Sequence, residues 1–158
     1  DEEWYDAFDL LVMSVVRAVR AAVPHLRADG GGTIVTIASR TVKEPVEDLV
    51  LSNSVRSGVV GLEKSLSTEL APAVRANAVL PGAHETPRIE SVVEGQVERG
   101  EYDSREAGVA AWAEGIPAGR LGDPMELGRT VAFLSSPRSA YLSGAAVTID
   151  GGEGASTL

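Results

Sequence analysis

Three short apolar runs, separated by long helical patterns, constrain the fold of this 158-residue chain more than any other feature. They cover residues 33–38, 74–80 and 145–149. Each run has the length of a strand, and the first is rich in β-branched residues, which is typical of a strand buried on both faces. Strands that alternate with helices pair in parallel. The sequence therefore predicts an α/β fold built on one parallel sheet, with the three strands adjacent in chain order.

Apolar side chains recur at helical spacing over residues 4–27 and 49–70, which predicts two long helices that pack side by side on one face of the sheet. Pro24 lies near the end of the first, and we expect it to distort the last turn. Residues 86–114 are predicted to be irregular or helical. Asp123 and Pro124 predict a further helix start, because Asp caps helices and Pro fits the first helical position.

A small polar residue follows the first predicted strand, and a turn-forming pair ends the second. Ser39 comes after the first strand, and Pro81-Gly82 ends the second. Ser52 lies thirteen residues after Ser39 on the second long helix, and Arg56 follows one turn later on the same helix face. Because parallel sheets bind ligands at the carboxyl ends of their strands, the sequence predicts a ligand site at this edge.

Composition excludes several classes of function. There is no Cys, which excludes disulfides and thiolate chemistry, and the net charge of −9 disfavours nucleic acids and anionic membranes. The sequence shows neither a membrane-spanning apolar run nor a secretory leader, so we expect a cytoplasmic location. Lys43 and Lys64 are the only lysines. An acidic, Lys-poor chain is typical of a salt-rich cytoplasm, and acidic drift in a high-GC genome is the alternative.

In this order, the segments resemble the C-terminal half of a short-chain dehydrogenase/reductase. The likeness runs from Trp4 to Gly152. It implies a Rossmann-like doubly wound sheet, NAD or NADP as cofactor, and a small-molecule carbonyl or alcohol as substrate. Relatives of this kind are commonly described as 3-oxoacyl-carrier-protein reductases. The segments that carry the likeness are Gly32-Thr33-Ile34-Val35, Asn77-Ala78-Val79-Leu80-Pro81-Gly82, Gly119-Arg120-Leu121-Gly122-Asp123-Pro124 and Ser143-Gly144-Ala145 with Asp150-Gly151-Gly152.

The resemblance implies a catalytic set of Ser39, Ser52 and Arg56, but with altered chemistry. The family carries Tyr where this chain has Ser52, and Lys where it has Arg56. A serine hydroxyl is a far weaker acid than a phenol, and an arginine stays charged. The family's usual Asn is replaced by Leu11, which cannot support a proton-relay water. Other interpretations stay open: Ser39 bonding its own backbone, Ser52 capping a helix start, and Arg56 solvated or paired with a carboxylate.

The resemblance also assigns cofactor-binding positions to Pro81, Gly82 and Thr86, and it assigns no metal ligand. His84, in the same loop, is the first candidate for a relocated acid, because histidine is the commonest acid–base side chain. An exposed loop histidine is the alternative. Glu85 is a weaker candidate, and Arg88 is predicted either to meet an acidic substrate or cofactor phosphate or to be merely exposed. His25 is expected at the surface or at a helix end.

The family's Gly-rich pyrophosphate turn does not occur in this sequence. In the family that turn lies upstream, so we expect residues 1–158 to be the C-terminal part of one domain within a longer polypeptide, with the first strand left unpaired on one edge. Family resemblance implies a homodimer or homotetramer formed through the two long helices, which carry Val12, Val16, Val59 and Leu66. Two other functions remain: a non-catalytic nucleotide- or metabolite-binding protein, and an oligomerisation scaffold.

Overall fold

The three predicted strands form one parallel sheet. The computed structural model describes residues 1–157, and its strands are β1 (Gly32–Ile37), β2 (Val74–Pro81) and β3 (Ala146–Ile149). They are ordered β1-β2-β3, and both pairs are parallel. The predicted order and direction are confirmed, with strand ends shifted by one residue. Within residues 1–157 no strand pairs with the outer side of β1, so its predicted open edge is also confirmed.

Six α-helices surround the sheet: α1 (Glu2–Phe8), α2 (Ser14–Ala28), α3 (Val50–Glu69), α4 (Pro87–Glu98), α5 (Arg105–Glu114) and α6 (Pro124–Ser135). A π-helical turn, Asp9–Met13, joins α1 to α2 and contains Leu11. α2 continues past Pro24 to its end at Ala28, so this proline does not end the helix.

The start of α6 was predicted correctly, and its cap is reciprocal. The Asp123 carboxylate accepts the Met125 N–H at 2.8 Å, while the Glu126 carboxylate accepts the Asp123 N–H at 2.9 Å. Arg120 also donates to Glu126 at 2.7 Å. The Arg120 side chain and this backbone N–H lower the pKa of Glu126 to about 2. The carboxylate thus anchors both the helix and the loop before it.

The two faces of the sheet carry different helices. Ala38, Ala78 and Leu80 point to one face, where Val60 of α3 packs against them. Leu26 of α2 contacts the same face, since its side chain fills the space beside Gly32. On the opposite face, Arg75 donates to backbone carbonyls at the end of α6. The long helices therefore share one face, as predicted, and α6 covers the other.

Two of the four apolar side chains named on the long helices are buried within the chain. Val12 lies 3.9 Å from the position that a Cβ on Gly58 would occupy. Val12 is 9% exposed and Val59 only 2%. Assembly through the long helices stays a prediction. Over residues 1–157, no helix has both the length and the apolar character needed to cross a bilayer.

Glu63 is the one acidic side chain of α3 that is fully buried in the described residues, at 1% exposed. Its Oε1 accepts a hydrogen bond from the Thr36 hydroxyl of β1, while Oε2 is buried without a partner. Desolvation raises the pKa of this carboxyl, and the Thr36 hydrogen bond opposes that rise. The folded chain therefore holds the proton of this carboxyl more tightly than the unfolded chain does.

We predict that stability falls with rising pH because of Glu63. Its pKa is higher in the folded than in the unfolded chain, so the folded state binds more protons between these two values. Stability is then fully present below the ordinary carboxyl pKa and declines up to the raised value. Glu63→Gln keeps the acceptor for Thr36 and should flatten this decline. Thermal unfolding from pH 4 to pH 8 measures it, with exposed Glu94→Gln as the matched control. Parallel profiles for Glu63→Gln and the unmodified chain would contradict the prediction.

Candidate active site

The residues predicted to form a site line one cleft. It has a volume of about 450 Å³ and lies at the carboxyl ends of β1 and β2. This size is typical of a site for a small molecule. It is lined by polar residues that follow the strands or lie on α3 and α4, and by apolar residues. The full set is Ile37, Ala38, Ser39, Ser52, Arg56, Pro81, Gly82, His84, Thr86, Arg88, Ile89 and Leu127.

Ser39 makes a local backbone hydrogen bond and also lines the cleft. Its Oγ accepts the Thr41 N–H at 3.2 Å and so caps a single 3₁₀ turn, Arg40–Val42. This is the local backbone bond of the first interpretation. A hydroxyl that accepts one bond keeps its own proton for donation. Ser39 also lines the cleft, so it can donate that proton to a ligand.

Ser52 and Arg56 are hydrogen-bonded to each other across one turn of α3. The Arg56 Nε donates to the Ser52 Oγ at 3.2 Å. Ser52 does not cap the helix, because α3 begins at Val50 and its N-cap residue, Leu49, makes no side-chain cap. The capping interpretation of Ser52 is therefore wrong. The bond holds the guanidinium beside the cleft in a fixed direction.

Arg56 is partly buried, and within residues 1–157 it forms no ion pair with a carboxylate. The carboxylate-paired interpretation is excluded for this part of the chain. Desolvation lowers the pKa of the guanidinium from its ordinary value. The side chain remains a cation, because an arginine guanidinium keeps its proton in proteins.

Pro81 and Gly82 form the floor of the cleft at the end of β2. The Gly82 N–H donates to the Ile149 carbonyl at 2.9 Å, which continues the pairing with β3. A Cβ on Gly82 would lie 2.9 Å from the Asp150 Cα and 2.7 Å from its Cβ. Glycine is required here by the close approach of the neighbouring backbone, independently of any ligand.

Thr86 caps α4. Its side chain accepts the Ile89 N–H at 3.4 Å, and the hydroxyl lines the cleft. The stretch after Thr86, predicted to be irregular or helical, forms two helices, α4 and α5. Sequence reasoning missed the apolar wall formed by Ile89 of α4 and Leu127 of α6. The sequence carries only a weak signal for this wall, since the two residues are 38 positions apart.

His84 lies in the cleft wall but is not exposed. Its side chain is 6% exposed, and its Nδ1 lies 3.0 Å from the Gly82 carbonyl oxygen. The ring packs over Gly122, where a Cβ would come within 2.7 Å of Nε2. A bridge between the backbones of His84 and Gly122 holds the two segments together. The exposed-loop interpretation of His84 is therefore wrong.

Two other candidate residues lie away from the cleft. Glu85 lines a separate pocket that also contains Arg105, so it does not face the other site residues. His25 is exposed on α2, as expected.

The C-terminal segment also lies at the carboxyl edge of the sheet, although no motif in the sequence predicts it there. Arg40, next to Ser39, forms an ion pair with Glu153. The buried Oε2 of Glu153 would lie 3.1 Å from a Cβ on Gly82. This contact fixes the segment after β3 against the floor of the cleft. No local pattern predicts it, because the paired residues are 113 positions apart.

Comparison with known proteins identifies the family. The model of the family described as Enoyl-(Acyl carrier protein) reductase matches residues 1–153. Oxidoreductase UcpA of Escherichia coli strain K12 is 35% identical over 148 residues, covering 91% of this chain and 54% of the relative. The chain therefore belongs to the short-chain dehydrogenase/reductase family.

Solved structures of Rossmann-fold relatives agree with the fold. L-sorbose reductase from Gluconobacter frateurii, complexed with NADPH and L-sorbose, superposes with a TM-score of 0.94 at 31% identity and covers 99% of this chain and 60% of its own. An NADPH-bound short-chain oxidoreductase from Pseudomonas aeruginosa PAO1 is described as containing an atypical catalytic center. It superposes with a TM-score of 0.86 at 34% identity, and the match covers 99% of this chain and 59% of that oxidoreductase. The chain thus spans little more than half the length of the relatives it matches.

We predict that Gly82→Ala destabilises the chain and widens the cleft floor. The new methyl group meets the Asp150 backbone below 3.0 Å, so β3 or the loop must move. Overpacking of this kind typically costs about 1–3 kcal/mol. Denaturant unfolding measures the loss. Gly61→Ala is the matched control, because nothing lies within 4 Å of its Cβ position and alanine favours a helix. Equal stability of the two variants would refute the close-approach argument.

Proposed function

We propose that this chain forms the substrate side of an NAD(P)-dependent oxidoreductase that reduces carbonyls or oxidises alcohols with an atypical active site. One observation carries the proposal: Ser39, Ser52 and Arg56, spaced as in the family's catalytic set, line one cleft with Pro81-Gly82. The carboxyl edge of a parallel sheet is where such folds bind ligands. Membership of the family supports the reaction class.

The cleft residues fit a nicotinamide cofactor, NAD or NADP. Within residues 1–157, Arg56 has no carboxylate partner, so its remaining N–H groups are available for ribose hydroxyls. Thr86 offers a hydroxyl, and Pro81-Gly82 offers a floor with little side-chain bulk. Both solved relatives described above are bound to NADPH, which supports the assignment. When bound, the nicotinamide ring supplies or accepts the hydride.

Each polar residue of the cleft has a distinct role in this proposal. Ser39 donates its hydroxyl proton to the carbonyl oxygen and so polarises it. Arg56 orients Ser52 through their hydrogen bond and contributes positive charge beside the reacting oxygen. Ser52 is too weak an acid to replace a tyrosine on its own. The proton therefore comes from elsewhere.

His84 is the first candidate for that acid. It lines the cleft and is buried among polar backbone groups. With Nδ1–H donated to the Gly82 carbonyl, the Nε2 atom is the position that exchanges a proton. The alternative function is non-catalytic binding of a nucleotide or metabolite, and the loss of the usual tyrosine favours it. An oligomerisation scaffold is the third.

We also propose that residues 1–158 are the C-terminal part of one domain, with the Gly-rich half outside this sequence. The chain's coverage of 54% of UcpA supports this. Assembly as a homodimer or homotetramer is proposed through the exposed apolar side chains of α1, which include Tyr5 and Phe8 at 72% and 50% exposed. A cytoplasmic location remains a prediction.

We predict that residues 1–158 alone bind NADH or NADPH far more weakly than the full-length protein. The cleft holds the nicotinamide side, but a helix N-terminus that neutralises the pyrophosphate is not part of this sequence. Calorimetric titration compares the two lengths. Saturation of the 158-residue chain at micromolar cofactor would contradict the prediction.

Removing the Ser39 hydroxyl should slow turnover strongly. Loss of one preorganised donor to the reacting oxygen typically raises the barrier by about 2.7–4 kcal/mol. Ser39→Ala in the full-length protein should therefore lower kcat roughly 100- to 1,000-fold in an assay of cofactor oxidation. His84→Ala tests the relocated acid, which typically contributes about 10²–10⁴-fold. Ser57→Ala, on an exposed face of α3, is the control.

The outcomes separate the functions. An unchanged kcat for Ser39→Ala would disprove the carbonyl site. An unchanged kcat for His84→Ala would disprove only the role of His84 as the relocated acid. Tight cofactor binding without turnover of any carbonyl or alcohol would favour the non-catalytic alternative.

A further inference from the structure

The cleft is cationic in a chain that is otherwise strongly acidic. The chain has 23 Asp and Glu residues and only 14 Lys and Arg residues. Yet two arginines line the cleft, and among residues 1–157 no carboxylate lines it. A concave site lined by charges of one sign concentrates ligands of the opposite charge. The positive lining therefore favours an anionic ligand.

Arg88 has no partner within residues 1–157. It lies in the first turn of α4, is exposed, and makes neither an ion pair nor a side-chain hydrogen bond there. Some other exposed arginines pair with carboxylates, namely Arg17 with Asp9, Arg99 with Glu101 and Arg105 with Glu90, whereas Arg20 and Arg138 form no ion pair within residues 1–157. What distinguishes Arg88 is its position, because its unpaired guanidinium lines the cleft.

The nearby carboxylates do not neutralise the cleft, because other groups engage them or they face elsewhere. Glu90, two residues after Arg88, pairs with Arg105 at 2.8 Å. Glu85 faces the pocket that contains Arg105. Asp150 accepts the backbone N–H groups of Gly152 and Gly154, and Glu153 pairs with Arg40. The positive charge of the cleft thus stays uncompensated.

The two cleft arginines differ in what they can reach. Arg56 is tied to Ser52 on α3, on the side of the catalytic set. Arg88 lies on α4 beside Ile89, whose side chain lines the cleft with Leu127. A ligand with an apolar body and an anionic end matches this wall, since the guanidinium binds a carboxylate through two parallel hydrogen bonds.

We propose that the cleft selects carbonyl substrates that carry a carboxylate, and that Arg88 binds this group while the carbonyl oxygen lies at Ser39. This inference rests on the proposed oxidoreductase function and specifies its substrate class as oxo acids. A phosphate of the cofactor is the other source of the same negative charge, and the experiment distinguishes the two.

The test uses the full-length protein and a panel of short 2-oxo and 3-oxo acids, each paired with its neutral methyl ester. Cofactor oxidation gives kcat and KM for each compound and for the cofactor. We expect the acids to be preferred. Arg88→Gln should raise KM for the acids roughly tenfold to a hundredfold, the range for losing a charge-assisted hydrogen bond, and leave KM for the esters unchanged. Arg88→Lys should restore part of the preference.

A matched control separates a local contact from net charge. Arg138→Gln removes the same formal charge from an exposed residue outside the cleft and should leave the acid preference intact. The proposal is overturned if Arg88→Gln raises KM for acids and esters equally. It is also overturned if only the cofactor KM rises, which would assign Arg88 to a cofactor phosphate.

Failure of the oxidoreductase function is recognised separately. If no compound is turned over, calorimetry with cofactor present compares binding of the same acids and esters. A preference for acids that Arg88→Gln removes would support the anion site without hydride transfer. Equal binding of acid and ester would overturn it.

Discussion

The pairing of β2 with both of its neighbours is the constraint on which the rest of the structure depends. Ile37 of β1 lies opposite Val79, and Pro81 lies opposite Ile149 of β3. This register brings the carboxyl ends of all three strands to one edge. Leu80, at the centre, is fully buried and packs between both neighbouring strands and α3. Burial of this strand therefore fixes the position of the cleft together with the core.

Close approach at that edge restricts the residues that can stand there. Gly82 has no room for a side chain against Asp150, and Gly122 has none against the His84 ring. The Arg40–Glu153 ion pair then fastens the last segment beside Ser39. The floor and walls of the cleft are thus held by contacts between segments far apart in sequence. A preorganised cleft of this kind suits a small ligand bound in one orientation.

Two residues of the family's catalytic set are substituted in this chain, and both substitutes line the cleft. Arg56 keeps a positive charge where a lysine is usual, and it donates a hydrogen bond to Ser52 on the same helix. In the proposed reaction the usual acid is missing, because a serine hydroxyl releases its proton only at very high pH. The cationic lining also gives the cleft a charge opposite to that of the chain as a whole. The proposed preference for oxo acids rests on this electrostatic difference.

The sequence alone determined the strands, their parallel order, the cap of α6 and the set of residues at the cleft. These features follow from local patterns: apolar periodicity, turn residues, and a fixed spacing along one helix. The cleft residues so determined are the polar ones at the strand ends and on α3, whereas the apolar wall of Ile89 and Leu127 came only from the tertiary structure. The tertiary structure also decided how the predicted residues are used. It placed Val12 and Val59 inside the chain, buried His84 against Gly122, and joined Ser52 to Arg56 instead of to the helix start.

The physical reason for this division is the range of the interactions. A helix cap or a strand pattern depends on neighbours within a few residues, so the sequence displays it directly. Within residues 1–157, no carboxylate lines the cleft, partly because Glu90 pairs with Arg105 and Glu153 pairs with Arg40. Such ion pairs exist only once the chain has folded. The sequence therefore determined the strand ends and several polar residues that meet at this edge of the sheet, while packing decided their exposure and their partners.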